Sequence, residues 1–121
     1  MHYWDMKTAP FKQVQEYMHN ESYKSGWWND ITEENYTFFV ATKLGSIMAE
    51  AAEAFEWFRP GIKDKHPPYK DNLEVELANI VMRCMDLAEF MGYDLIETMQ
   101  QKDEYNKVRA NSKVACTGAN G

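Results

Sequence analysis

Two long stretches without proline constrain this chain more than any other feature. Thr32 to Arg59 holds one glycine, Gly45, and no proline, and Asp71 to Met91 holds neither. Pro60-Gly61 closes the first stretch and Gly92 the second, and these are the residue types at which helices stop. Six Gly and four Pro in 121 residues are too few for a sandwich or barrel of short strands joined by turns. The expected fold class is therefore all-α. A chain of this length makes one domain that buries roughly 65–70% of its unfolded surface, and no repeat or interdomain linker divides it.

Local signals place the elements. Phe11 to Met18 reads as a short amphipathic stretch, followed by a polar, aromatic turn around Gly26-Trp27-Trp28. Thr32 signals a helix start, with Glu33 and Glu34 in the first turn where acids suit the helix dipole. That helix is expected from about Asn35 to Arg59. Pro60, Pro67 and Pro68 mark 60–70 as a loop. Asp71 and Glu74 form a capping-box start for a third helix that runs to Met91. Asp94 caps again, and a fourth helix runs to about Arg109. The domain is expected to span 1–110, and the small, polar run 111–121 to fray as a tail.

Charge and hydropathy narrow the classes of function. Thirteen basic against nineteen acidic residues leave a net charge of −6, with no basic cluster to hold a phosphate backbone, so no nucleic-acid partner is expected. An acidic balance does suit a site that recruits cations. No run of 18 apolar residues occurs, so no membrane partner is expected either. The first ten residues, MHYWDMKTAP, lack the basic-then-apolar layout of a secretion signal, and Cys84 and Cys116 form no disulfide framework. Both points lead to the expectation of a cytoplasmic protein.

Periodicity shows what the long helices present. Val40, Leu44, Ile47, Ala51, Phe55 and Phe58 share one stripe, as do Leu73, Leu77, Ile80, Cys84, Leu87 and Met91. With Glu50 as zero, the first stripe spans roughly 60° to 160°, while Lys43, Ser46, Glu50 and Glu53 occupy about 300° to 20°. With Glu76 as zero, the second stripe lies at about 40° to 100°, beside Asn72, Glu76, Asn79, Arg83 and Asp86 at about 280° to 360°. Helices packed by these stripes bring Glu50/Glu53 and Glu76/Asn79 to one pocket. Carboxylates so gathered repel one another unless a cation lies between them, and oxygen ligands without His or Cys suit Mg²⁺ or Mn²⁺. Glu pairs three apart are also common on solvated faces. Both stripes are wider than four unequal helices cover, so oligomerisation is expected.

Lys43 to Glu56, with Glu50-x-x-Glu53, resembles the first half of the MazG-type all-α nucleoside triphosphate pyrophosphohydrolase signature. Glu76 to Ala88 resembles the second half, with twenty-two residues separating Glu53 from Glu76. Lys102-x-x-x-Asn106-x-x-Arg109 is similar to the family's closing segment, and Gly26-Trp27-Trp28 to its aromatic stretch before the first motif helix. The resemblance covers about residues 25–110. It implies a four- to five-helix MazG-like bundle, completed as a homodimer or homotetramer. It also implies Mg²⁺-dependent hydrolysis of (deoxy)nucleoside triphosphates to the monophosphate and pyrophosphate. Glu50, Glu53 and Glu76 are then the catalytic metal ligands, with Asn79 as the fourth and Mn²⁺ as an alternative ion. Arg83, Lys102, Asn106 and Arg109 are expected at phosphate oxygens, and Lys43 and Trp27 complete the substrate-binding set.

One position departs from the pattern. Asn79 stands where the family has Asp, and its neutral amide should lower metal affinity. The alternative is therefore a weakened or inactive nucleotide-binding oligomer. Asp86, seven residues further on, is about 10 Å along the helix and too far to complete the same ion's shell. His2, His19 and His66 show no metal spacing and receive no role, Glu56 is expected in solvent, and Cys84 reads as a small buried hydrophobe.

Overall fold

The computed structural model describes the backbone of residues 4–58 and 72–117, and side chains over 4–57 and 73–111. Among these residues the chain is all-helical. The helices are α1 (Phe11–Lys24), α2 (Tyr36–Phe55), α3 (Asn72–Phe90) and α4 (Leu95–Thr117), with a short 3-10 turn before α1 at Met6–Thr8 and another after α2 at Glu56–Phe58. The expected 60–70 loop and the Asp71 cap lie outside the described residues. No helix among the described residues is long and apolar enough to cross a membrane.

Helix α3 is the middle member, packed by α1 on one side and α2 on the other. Gly92, at φ 76°, closes α3 in the left-handed conformation that residues with a Cβ rarely adopt. The Gly92 and Tyr93 amides donate to the carbonyls of Glu89 and Ala88, so the last turn is satisfied. Asp94 Oδ1 then accepts the Glu97 amide at 3.1 Å and starts α4. That helix runs to Thr117, through residues 111–117 expected in the frayed tail.

The Thr32 signal acts elsewhere than expected. Thr32 and Asn35 bond reciprocally, each backbone N–H to the other's side-chain oxygen, at 2.6 and 3.2 Å. They close a turn ahead of α2, which begins at Tyr36, one residue from the expected start at about Asn35.

The packing also departs from the expected stripes. Leu44, Ala51, Phe55 and Leu77 are exposed, whereas Glu50 and Ala54 of α2 and Glu76, Met85, Asp86 and Ala88 of α3 are buried. Helix α2 is turned so that the border between its apolar and polar faces meets α3, and the outer half of its stripe faces solvent. Val14, Met18 and Met85 make a small core, joined by Trp4, Ala9 and Phe11. Trp28 is 2% exposed and stacks on Phe90 with centroids 4.1 Å apart. Gly45, inside α2, has nothing within 4 Å of where a Cβ would stand, although glycine costs a helix about 1 kcal/mol relative to alanine.

A polar knot ties α1 to the end of α3. Gln15, fully buried, donates from Nε2 to Glu89 Oε1 at 2.9 Å and to the Tyr93 carbonyl at 2.8 Å. Lys12 Nζ donates to the same Glu89 oxygen at 2.9 Å. That hydrogen bond holds the Glu89 carboxyl below its ordinary 4.5, against the opposing effect of burial. A depressed carboxylate stabilises the fold above its unfolded pKa, and the contribution drains as pH falls through the folded value. The stability difference between the native chain and Lys12→Met should therefore be largest near neutrality and shrink below about pH 4.5. Urea unfolding across the acid range checks this; a difference independent of pH would refute it.

Candidate functional site

The turn of α2 against α3 brings two acids into its contact with the neighbouring helix. Glu50 is 8% exposed and Glu76 1%, while Glu53, three residues from Glu50, stays at the solvent edge. One carboxylate oxygen from each of the three lies within 4.8 Å of the others. Asn79 adjoins them one turn along α3 and donates from Nδ2 to Glu76 Oε1 at 3.1 Å. All four residues expected at the metal thus meet, and Asn79 meets them as a hydrogen-bond donor.

Arg83 supplies the counter-charge. Its Nε and Nη2 approach Glu50 Oε1 at 3.2 and 3.0 Å. Burial pushes the Glu50 carboxyl up, but hydrogen bonding with Glu76 and Arg83, together with the Arg83 charge, outweighs it. The carboxyl is held below its ordinary 4.5. The other oxygen, Glu50 Oε2, is buried and accepts no hydrogen bond. A buried carboxylate oxygen left this way is costly unless something positive reaches it. The donor set, three carboxylates and an amide, is that of a hard divalent cation such as Mg²⁺ or Mn²⁺.

Beside the carboxylates, α1 and α3 enclose a cleft of about 250 Å³. Asn79 and Arg83 line both it and the acidic cluster; Trp27, Met18, Met82 and Asp86 complete much of its wall. Trp27 is half-exposed, with the Arg83 guanidinium 5.0 Å and Lys43 Nζ 5.0 Å from its ring centre. Lys43 also lies 4.5 Å from the Trp28 ring centre and donates to the Trp27 carbonyl at 2.9 Å. Burial lowers its pKa. Trp27 is therefore neither core nor a bare platform; it is a plate gripped by two cations.

Asp86 and His19 have roles here that residue spacing did not assign. Asp86 Oδ1 accepts the Trp28 indole N–H at 2.9 Å and lies 2.7 Å from His19 Nδ1. His19 packs edge-on to Trp28. The signal was present in α1, where Gln15, Met18 and His19 fall on one helical face, but the absence of metal spacing concealed it.

Helix α4 stands apart. Lys102, Asn106 and Arg109 are exposed, and the α4 contact of any extent is with α1. Lys102 and Arg109 flank the Tyr105 ring on their own helix, at 4.9 and 5.7 Å. The expectation that these three reach the site from a packed helix face is not met within the single chain. The physical reason is that α4 presents no continuous apolar stripe to α2 or α3. Glu56, expected in solvent, is half-buried, and so is Cys84, whose thiol burial pushes up.

Removing Arg83 leaves buried negative charge uncompensated. Arg83→Met should destabilise the chain by about 2 kcal/mol at neutral pH, and Arg83→Met combined with Glu50→Gln should recover most of that loss. Urea unfolding of the four chains in a double-mutant cycle reads the coupling directly. Additive losses would show that the pair does not hold the site together.

Against known proteins, no family model, no curated protein and no solved structure matches this chain.

Proposed function

We propose that this chain is a MazG-like nucleotide pyrophosphohydrolase. It hydrolyses (deoxy)nucleoside triphosphates to the monophosphate and pyrophosphate, and works as a homodimer or homotetramer. The observation that carries this reading is the convergence of Glu50, Glu53 and Glu76 within 4.8 Å, from two helices, beside a cleft walled by Arg83 and Trp27. Glu50, Glu53 and Glu76 would hold Mg²⁺ or Mn²⁺, with Asn79 at the edge. The buried Glu50 Oε2 that accepts no hydrogen bond supports that fit. When bound, such an ion supplies Lewis-acid activation of water and charge neutralisation at the pyrophosphate.

The chain's own residues do the rest. Arg83 spends two donors on one oxygen of Glu50 and keeps others for phosphate oxygens, in the forked geometry that suits them. Lys43 holds Trp27 by its carbonyl and ring, which fixes one wall of the cleft. Glu53 lies at the exposed edge, where a solvated ion enters. Lys102, Asn106 and Arg109 join this site only if α4 of another copy brings them to it.

A second reading is favoured by Asn79. Its amide hydrogen bond to Glu76 relieves repulsion that an aspartate would add, and so suits a site of lower cation affinity. On that reading the chain binds nucleotide with little or no turnover.

Pyrophosphate release from a panel of NTPs and dNTPs, with Mg²⁺ and then Mn²⁺, separates the two. Native turnover that vanishes in Glu50→Ala or Glu76→Ala is the expected result. A silent native chain beside an active Asn79→Asp variant would mark a retired catalyst. Turnover indifferent to either glutamate would refute the metal assignment. Mg²⁺ with nucleotide should also raise the melting temperature of the native chain, and a flat response would leave a purely structural bundle.

A further inference from the structure

Arg83 pairs with Glu50 in a way that leaves both partners incompletely used. An arginine and a carboxylate bond most strongly as a fork, one N–H to each oxygen. Here Nε and Nη2 both approach Glu50 Oε1, at 3.2 and 3.0 Å. Oε2 of the same carboxylate is buried and accepts no hydrogen bond from the described residues, and Glu50 as a whole is 8% exposed. A carboxylate oxygen in that condition favours a further positive charge. The guanidinium on Oε1 opposes a divalent ion at Oε2, because two like charges then share one carboxylate.

Arg83 also has a second place to go. Its side chain keeps 28% of its surface exposed, lines the cleft, and lies 5.0 Å from the Trp27 ring centre. Lys43 Nζ lies 5.0 Å from the same ring centre. Burial lowers the Lys43 pKa, and the Arg83 charge adds to that against the opposing effect of Asp86. Two cations gathered at one indole repel each other unless an anion joins them. A run of phosphates in the cleft beside Trp27 does so, and its oxygens offer the guanidinium the fork that Glu50 does not give.

We infer that Arg83 is an exchangeable counter-charge: on Glu50 it keeps the Glu50, Glu53 and Glu76 cluster closed to a divalent ion, and a polyphosphate in the cleft draws it off and opens the cluster. Ion and polyphosphate then strengthen each other's binding by the same factor, as linkage requires. The inference rests on the metal site of the proposed function and adds regulation to it.

The test takes the two ligands separately. Arg83→Met should bind Mn²⁺, titrated alone in phosphate-free buffer, about tenfold more tightly than the native chain. It should bind inorganic triphosphate, titrated in the presence of a chelator, about tenfold more weakly. Opposite signs in one variant are the mark of exchange, since removing a residue that only braces the helices would weaken both. Arg83→Gln keeps a donor beside Glu50 without the charge, and should move the two affinities in the same opposite directions. Saturating Mn²⁺ should also raise the melting temperature of Arg83→Met more than that of the native chain, and Glu50→Gln added to Arg83→Met should remove that gain. Mn²⁺ binding by the single variants at or below the native affinity overturns the proposal, and so does triphosphate binding indifferent to Arg83. Affinities that shift as stated in a chain without turnover leave this inference standing and count against the hydrolase. Turnover with unshifted affinities does the reverse.

Discussion

Everything near the site depends on how the burial of Glu50 and Glu76 at the α2–α3 contact is compensated. Two ionisable carboxyls that are 8% and 1% exposed are expensive to remove from water, and a fold tolerates them only with compensation close at hand. Arg83 provides it for Glu50 and the Asn79 amide for Glu76. The same two residues line the neighbouring cleft, so the groups that make the fold tolerable also shape the place where a ligand would lie.

A second polar network braces the C-terminal half of α3. Asp86 draws together His19 of α1 and Trp28 of the turn before α2, while Glu89 gathers Lys12 and Gln15. The apolar core proper is small, with Val14, Met18 and Met85 at its centre. Much of the specificity of helix placement therefore comes from directional bonds to buried acids. Loss of one such bond costs more than its own strength, because its partner is left stranded.

The helices and their stops were legible because Gly92, Asp94 and the proline-free runs act locally, through backbone geometry that no tertiary contact overrides. The gathering of Glu50, Glu53, Glu76 and Asn79 was legible too, since steps of three on two neighbouring helices fix a common face. The rotation of α2 was not. A stripe as wide as Val40 to Phe58 has more apolar surface than one neighbouring helix can cover, and periodicity does not say which edge turns inward. Thr32 misled for a related reason: the same reciprocal bonds that start a helix also close a tight turn. His19 and Asp86 went unassigned because their pairing joins residues 67 positions apart, a separation at which spacing carries no information.

The guanidinium of Arg83 has a further consequence. In many small metalloproteins the unloaded ligands cannot be brought together, and ion and fold arrive as one event. Here the chain carries its own resident cation, and Arg83 already sits against Glu50 without any ion. Were an ion held there as proposed, its loading and the folding of the helices would be separable events.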